Sequence, residues 1–96
     1  MRIIAESRLK RMAEGHGDCI DQVAVWIRIV RAAHWRSLME VRGTYPHADA
    51  VGELTVFNIK GNDYRLIVGM DYRWGRVYVK HLLTHADYDT GEWKHQ

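Results

Sequence analysis

Apolar residues recur at helical spacing in the first half of the chain and alternate with polar residues in the second half. Between residues 20 and 33 they fall three or four positions apart, which is the spacing of one buried face of an α-helix. The residues of this stripe are Ile20, Val23, Ala24, Ile27, Val30 and Ala33. Beyond residue 53 the period becomes two, as in strands with one buried face. The pattern therefore predicts a helical half followed by a sheet.

Signals for helix ends predict three helices before Pro46. The first is expected to begin after Ser7 as its cap and to end at the glycines that follow residue 14. The second follows Asp18. A brief third follows Ser37, because a serine three residues before Glu40 is the spacing of a capping box. This helix must end before the proline, since the residue preceding proline avoids the helical conformation.

Two antiparallel strands are predicted on either side of Gly61 and Asn62. The segments 54–60 and 63–72 alternate, and a two-residue turn that begins with glycine joins such strands. Pairing across this turn places Asn58 beside Arg65, because residues that face each other in an antiparallel ladder share a face. One face of the hairpin is then apolar and forms the core, whereas the other face is largely polar.

A third strand is predicted over residues 76–83, after a turn at residues 73–75. We favour the register that puts Val77 and Val79 on the core face, because a slip of one residue would turn the buried set toward water. The expected fold is α+β, a small antiparallel or mixed sheet with two to three helices packed on one face. A single domain is expected over residues 1–96.

The polar face of the predicted sheet carries candidate RNA contacts. Its members are Asn58, Lys60, Arg65, Tyr78 and Lys80, with Arg73 and Trp74 expected nearby at a loop tip. The planar guanidinium of arginine bonds two phosphate oxygens at once, and aromatic rings stack on bases. Solvated strand faces also commonly carry Lys and Arg. From these residues alone, an RNA-binding surface and an ordinary solvated face both remain open.

The segment THADYD, residues 84–89, follows the last predicted strand and is dense in reactive side chains. RNA cleavage needs a base for the ribose 2′ proton, positive charge around the phosphate, and an acid for the departing 5′ oxygen. His85 and Tyr88 could divide the proton transfers, since histidine titrates near neutral pH and nearby cations make a phenol useful as a base. The structural alternative is that His85 caps the strand end and Tyr88 covers the edge of the core.

Composition and charge limit the possible functions. The 96 residues, 47% of them hydrophobic, suffice for one globular core. The net charge is only +2, but residues 54–83 hold five Lys and Arg against two Asp. With one cysteine, no long apolar run and no signal-peptide pattern, the chain is expected to be cytoplasmic and to have no membrane partner.

Neither a metal nor another cofactor is expected. His81 and His85 would lie roughly 13 Å apart on an extended strand, which is too far to share one ion. His16 and Cys19 form an incomplete ligand set, and a small buried cysteine is the better interpretation.

The four tryptophans receive different predictions. Trp26 is expected in the core, and Trp35 is expected to close the end of the second helix. Trp74, at a loop tip, leaves base stacking, edge packing and contact with a protein partner open. Trp93 lies in the tail, where partial disorder is the usual expectation.

The string VFNIKGNDYRLIVGMDYRWGRVYVKHLLTHADYD resembles the HigB family of bacterial toxins, ribonucleases of the RelE superfamily. Members of that family carry a close variant of FNIKGNKYRLI and end in THAEYD. The early MRII, the region of Trp35 and the stretch YPHAD at residues 45–49 are also similar to words of that family. The resemblance thus extends over nearly the whole chain.

The resemblance implies a metal-independent messenger RNA interferase with a small helix-and-sheet fold. The implied partners are messenger RNA, free or on the ribosome, a HigA-type helix-turn-helix antitoxin, and operator DNA only through that antitoxin. Matching motif positions give catalytic roles to Lys60 and Arg65 from KGNxYR, and to His85 and Tyr88 from THADYD. Lys80 lies where relatives also place a basic residue. Two other functions remain open: a non-catalytic RNA-binding module, and a subunit that only binds an antitoxin.

Overall fold

The computed structural model describes residues 1–95, which form one mixed sheet with helices on both of its faces. The predicted α+β class is confirmed. The strands are β1 (Arg2–Ile4), β2 (Asp49–Val51), β3 (Leu54–Ile59), β4 (Tyr64–Asp71) and β5 (Arg76–Thr84). The helices are α1 (Glu6–His16), α2 (Ile20–Ala32), α3 (Leu38–Thr44), α4 (His85–Thr90) and a final 3-10 helix (Glu92–His95). None of the helices in residues 1–95 has the length and apolar character needed to cross a bilayer.

The sheet has the strand order β1-β5-β4-β3-β2. The pairings among β2 to β5 are antiparallel, whereas β1 runs parallel to β5, with Ile3 opposite Val77. Strands β1 and β2 thus lie at opposite edges of the sheet. Strands β4 and β5 lie inside the sheet, and β4 begins and β5 ends at the edge where α4 starts, with Tyr64 opposite Thr84.

Helices α1, α2 and α3 cover one face of the sheet and enclose the main core. Trp26 and Phe57 are fully buried there and pack edge to face, with ring centroids 5.5 Å apart. Trp35 is also buried, against Phe57 and Tyr45, so it belongs to the core and does more than close a helix end. Cys19 is buried as predicted.

Two predicted helix starts differ from the observed ones. Ala5, in the left-handed conformation at φ 71°, precedes α1, so Ser7 lies inside the helix and caps nothing. Helix α2 begins at Ile20, which is 43% exposed although it falls on the predicted apolar stripe. The third prediction is confirmed, because the Ser37 hydroxyl accepts a hydrogen bond from the backbone N–H of Glu40.

The register of the β3–β4 hairpin is as predicted, with Asn58 opposite Arg65. Its turn is wider than the predicted pair of residues: pairing ends at Ile59, and both Lys60 and Gly61 have positive φ, 54° and 64°. Because side chains alternate only along extended backbone, Lys60 does not continue the polar row of β3.

The register of the β4–β5 hairpin is also as predicted at its loop end, where Met70 pairs with Val77 and Val68 with Val79. A bulge then shifts the register, so Lys80 has no partner on β4 and Ile67 pairs with His81. The shift changes the pairing of the second half of β5, where Leu83 lies opposite Arg65 and the final residue, Thr84, lies opposite Tyr64.

The second face of the sheet is partly covered, contrary to the open polar face predicted. Trp93 is only 4% exposed and packs on Val56 and Ile67, which form a second apolar cluster on this face. The prediction that Trp93 lies in a partly disordered tail is therefore wrong, because the indole has an apolar surface to bury against. This small cluster keeps α4 and the 3-10 helix against the sheet.

Candidate active site

The predicted catalytic segments meet at the edge where the β3–β4 turn approaches α4. The backbone N–H of His85 donates to the carbonyl oxygen of Asp63, at 2.9 Å, which ties the start of α4 to the turn. Thr84 caps this helix, since its hydroxyl accepts from the N–H of Asp87 at 3.1 Å. THADYD is thus a capped helix rather than the predicted loop end, and it holds its reactive side chains at fixed helical spacing.

Arg65 is the most buried cation of the site, with 8% of its surface exposed. Its Nη1 donates to the carbonyl oxygens of Asn62 and Tyr64, at 3.1 and 3.2 Å, and its Nη2 donates to Oδ1 of Asn62 at 2.6 Å. No carboxylate lies within salt-bridge distance of it among residues 1–95. A buried guanidinium held by neutral oxygens keeps its full positive charge available for an anion.

Tyr88 lies against this guanidinium. The Arg65 Cζ is 5.5 Å from the centroid of the Tyr88 ring, a cation–π distance. The Tyr88 ring also stacks on Trp93, with ring centroids 5.3 Å apart and an interplanar angle of 17°. The Trp93 indole N–H donates to the Tyr88 carbonyl oxygen at 3.0 Å. Arg65 and Trp93 therefore fix the position of the phenol.

His85 is the exposed member of the predicted catalytic residues on α4. Its Nε2 lies 3.2 Å from Oδ2 of Asp89, one helical turn further along α4, and the imidazole side chain is 46% exposed. A carboxylate at this position orients the ring. The imidazole can therefore meet a solvent-borne substrate while staying near the Arg65 and Tyr88 pair.

Lys60 points to a different group. Its ammonium donates to Oδ2 of Asp18 at 2.9 Å, and the Tyr64 hydroxyl donates to the other oxygen of the same carboxylate. The Tyr64 hydrogen bond, followed by that of Lys60, holds the pKa of Asp18 below its usual value. The same hydrogen bond, with burial, raises the pKa of Tyr64 to about 12. Lys60 thus ties the hairpin turn to the start of α2 in this conformation.

Tyr78 and Lys80 lie on the polar face but are separated from Arg65. The ammonium of Lys80 is 5.9 Å from the Tyr78 ring centroid, and its chain crosses Gly69, where an added Cβ would meet Lys80 at 3.7 Å. The apolar cluster around Trp93 and Ile67 lies between this pair and the Arg65 end of the face. The predicted continuous row of cations is therefore interrupted in its middle. Of the polar residues predicted to share the face with Arg65, only Asn58 lies directly opposite it.

The predicted proximity of Arg73 and Trp74 to this site is wrong. They lie in the β4–β5 turn, at the opposite end of β4 from Arg65. Six residue steps along β4 lead from Arg65 to Asp71, a distance of about 20 Å at roughly 3.3 Å per residue. The predicted hairpins already implied this separation, because the turns at the two ends of one strand lie at opposite edges of the sheet.

Sequence reasoning missed four residues that position the predicted ones. Asn62 holds Arg65, Asp89 binds His85, Trp93 stacks on Tyr88, and Asp18 binds Lys60. Asp89 had a local signal, because a carboxylate four residues after a histidine faces it once the segment is helical. The Asp18–Lys60 contact joins segments distant in sequence and leaves no such signal. Asn62 and Trp93 lie close in sequence to Arg65 and Tyr88, but the pattern of the sequence does not show these contacts.

His81 lies beside Trp93, with ring centroids 6.4 Å apart. Burial lowers the pKa of His81, and the charges of Arg8 and Lys80 lower it further. The imidazole is therefore neutral near pH 7 and acts as a packing residue of the covered face. In residues 1–95, no group of three His, Cys, Asp or Glu side chains is arranged to hold a metal ion.

Comparisons with known proteins show the family of this chain. A family model described as the HigB toxin, RelE-like toxic component of a toxin–antitoxin system, matches residues 19–91. The mRNA interferase toxin HigB of Escherichia coli (strain K12) is 22% identical over 92 residues, covering 93% of this chain and 88% of that protein. The mRNA interferase HigB of Escherichia coli O6:H1 is 24% identical over 92 residues, covering 93% and 89%. The matched segment contains the hairpin turn and α4, whereas Trp93 lies beyond it.

Proposed function

Because this chain belongs to the HigB family of RelE-like toxic components of toxin–antitoxin systems, we propose that it is an endoribonuclease that cuts messenger RNA and so arrests translation and growth. The names of its curated relatives, which are mRNA interferases, support this activity. The site at the junction of the hairpin turn and α4 is where we place the cleavage.

One observation carries the proposal: the Arg65 guanidinium, buried and without a carboxylate partner among residues 1–95, lies 5.5 Å from the Tyr88 ring. Burying an unpaired charge is unfavourable, and its neutral acceptors offset that cost only in part. A phosphate that enters the site would complete the pairing with a bidentate hydrogen bond. The site therefore favours a substrate with a phosphodiester next to a group that can be deprotonated.

The reaction that fits these groups is attack of the ribose 2′ oxygen on its own 3′ phosphorus. A base removes the 2′ proton, the P–O5′ bond breaks, and an acid protonates the departing 5′ oxygen, which leaves a 2′,3′-cyclic phosphate. Arg65 stabilises the extra negative charge that develops on the phosphoryl oxygens. His85 and Tyr88 are the two groups that transfer the protons. The proposed reaction requires no metal ion.

The two proton carriers have different surroundings. His85 is exposed, with its Nε2 3.2 Å from Oδ2 of Asp89, whereas Tyr88 is half-buried with its ring 5.5 Å from the Arg65 Cζ. The pH profile of cleavage in His85→Ala and in Tyr88→Phe identifies which of the two residues is the acid for the 5′ oxygen and which is the base.

Lys60 enters the proposal as a cation that must exchange partners. Its ammonium binds Asp18, so contact with a phosphate requires release from that carboxylate. Asn58, Tyr78 and Lys80 are proposed to contact the flanking nucleotides along the sheet face. Beyond messenger RNA, free or on the ribosome, the proposed partner is a HigA-type antitoxin that connects the toxin to operator DNA.

The test is a set of cleavage and binding measurements on matched variants. His85→Ala and Tyr88→Phe should each lower transcript cleavage about a hundredfold, the usual contribution of one positioned acid or base, while RNA or ribosome association stays near wild type. His47→Ala, which removes an exposed histidine between α3 and β2, is the control and should cleave normally. Wild-type cleavage by the first two variants would eliminate their catalytic roles.

Expression of the chain alone in bacteria tests the whole function. New transcript 5′ ends clustered in coding regions are expected together with growth arrest. RNA binding without new ends would instead indicate a non-catalytic RNA-binding module. Growth arrest with neither would indicate a subunit that acts only through protein contacts.

A further inference from the structure

A second concave surface lies at the opposite end of the sheet from the proposed cleavage site. The β4–β5 turn, the start of β1 and the segment between α2 and α3 enclose a cleft of about 650 Å³. Its lining residues that matter here are Arg2, His34, Trp35, Arg36, Arg73 and Trp74. This cleft has no part in the cleavage chemistry described above.

The charge of this cleft is one-sided. Arg2, Arg36 and Arg73 line it, and neither Asp nor Glu is among its lining residues. The Arg36 side chain has only a long contact of 3.7 Å with Glu40 and is 86% exposed, while its backbone N–H donates to Oε1 of the same residue at 3.1 Å. Such an exposed pair contributes little and exchanges readily for a stronger anion. The backbone fixes the arrangement, because the N–H of Arg2 donates to the Gly75 carbonyl at 2.7 Å.

Trp74 is the exposed aromatic ring beside these cations. It is 65% exposed, whereas the three other tryptophans are nearly or fully buried. The Arg73 guanidinium lies 5.3 Å from its ring centroid, and its backbone N–H donates to Oδ1 of Asp71 at 3.0 Å. A large apolar ring held in water by a fixed turn, with a guanidinium beside it, is the arrangement on which nucleic acid bases stack.

We infer that this cleft, lined by the guanidinium groups of Arg2, Arg36 and Arg73 and by the exposed ring of Trp74, binds a segment of single-stranded RNA away from the scissile phosphate. The arginines bind the phosphates and the indole stacks on a base. The choice of RNA as the ligand rests on the proposed function. Because the cleft lies about 20 Å along β4 from Arg65, its RNA segment is separate from the nucleotides being cut.

Tryptophan fluorescence gives a direct test, because Trp74 is the tryptophan that solvent and ligands can reach. The probe is a 2′-O-methyl oligoadenylate of about ten nucleotides, which is within the site sizes of single-strand binders and cannot undergo cleavage through its 2′ oxygen. The oligonucleotide should quench the emission of the wild-type chain, and Trp74→Phe should abolish the quenching while keeping most of the affinity. Trp74→Ala should weaken binding about tenfold, the scale of one stacked base.

Charge variants test the phosphate contacts. The double variant Arg36→Gln with Arg73→Gln should weaken binding by tenfold or more and make its salt dependence shallower, by roughly 0.7 in the logarithmic slope for each lost phosphate contact. The double variant Arg11→Gln with Arg28→Gln removes the same two charges from exposed positions of α1 and α2 and is the matched control. If this control weakens binding as much as the cleft variants, or if quenching survives in Trp74→Phe, the inference is wrong.

Two further measurements identify the source of the RNA and separate this inference from the proposed function. Cleft variants that lose free oligonucleotide and transcript binding equally indicate the message as ligand, whereas a larger loss of ribosome association indicates ribosomal RNA. If the variant Arg36→Gln with Arg73→Gln is quenched by the oligonucleotide like wild type but binds the antitoxin more weakly, the inference is wrong and the cleft binds a protein partner. If the chain shows Trp74-dependent quenching but cleaves no transcript, the proposed cleavage is wrong, whereas the RNA-binding cleft is still supported.

Discussion

At the residue scale, the candidate site depends on how neighbours hold each functional group. Arg65 is positioned by oxygens of Asn62 and Tyr64, and the Tyr88 ring lies between Arg65 and Trp93. None of these neighbours carries a charge opposite to that of the guanidinium. The site thus orients its cation without neutralising it, which is what a phosphate-binding group requires.

Arg65→Lys tests whether the shape of this cation matters in addition to its charge. A lysine keeps the charge but cannot make hydrogen bonds in the planar fork that reaches both oxygens of Asn62. We expect cleavage to fall about tenfold or more, with a loss of roughly 1 to 3 kcal/mol in the free energy of unfolding because buried acceptors lose a charged donor.

The matched variant is Asn62→Ala, which removes Oδ1 and leaves the backbone carbonyl acceptor. It should produce a smaller loss of cleavage in the same direction. Cleavage assays with a defined transcript and urea unfolding measure both effects. Wild-type cleavage by the lysine variant would mean that charge alone suffices.

At the scale of elements, a short capped helix presents the two proton carriers. Helix α4 has only six residues, too few to be stable alone, so its cap, its bond to the β3–β4 turn and the stack on Trp93 hold it in place. The helix also sets His85 and Asp89 one turn apart. The proposed catalytic geometry of His85 and Tyr88 therefore depends on the cap at the start of α4 and on the Trp93 stack near its end.

Thr84→Ala tests the cap of this helix. It removes the hydroxyl that accepts from the Asp87 N–H, and loss of a threonine cap usually costs about 1 kcal/mol. Fraying of α4 should also displace His85 and Tyr88, so we expect a several-fold fall in the cleavage rate. Thr84→Ser retains the acceptor and should behave like wild type in both urea unfolding and cleavage. A silent Thr84→Ala variant would show that the cap does not position the helix.

At the scale of the whole molecule, one carboxylate connects the catalytic hairpin to the helical layer. Asp18 precedes α2 and accepts from both Lys60 and Tyr64, which belong to the turn and to the first residue of β4. The proposed cleavage site is thereby connected to the core through the same strand that leads to the RNA cleft. The start of α2, the proposed cleavage site and the RNA cleft are thus all connected through strand β4.

This connection predicts a pH dependence of stability with two limits. The Asp18 pKa is lowered, so its stabilisation is present above about 4, the usual range of an aspartate, and disappears as pH falls through the lowered value. The Tyr64 pKa is raised to about 12, so the protonated phenol stabilises the fold below its usual pKa of 10.0 and this contribution is lost between those two values.

Ultraviolet titration of the tyrosines measures the alkaline limit. Tyr64→Phe should remove a transition near pH 12, and Asp18→Asn should move that transition down toward the ordinary range, because the neutral amide no longer favours the protonated phenol. The free energy of unfolding at alkaline pH should change in parallel. An unaltered titration curve in Asp18→Asn would disprove the coupling.

The sequence by itself determined the helices α2 and α3, the strands β3 to β5 and the pairing among those strands, whereas β1, β2 and α4 were not predicted. The period of the apolar residues predicted α2 and the strands, and the burial of Val77 and Val79 selected the correct register between two possibilities. These features are local: they follow from which side chains must leave water and from how far neighbours lie apart along the backbone. The motif resemblance likewise assigned the family without any coordinates.

Only the tertiary structure decided which groups meet. Lys60 left the predicted row because its backbone is left-handed and its ammonium binds Asp18, and Trp93 covered the sheet because an apolar patch was available. The contacts of Lys60 with Asp18 and of Trp93 with Val56 join elements distant in sequence, which the period of one segment does not encode. The buried cation and the separate RNA cleft therefore became visible only when the strands were placed side by side.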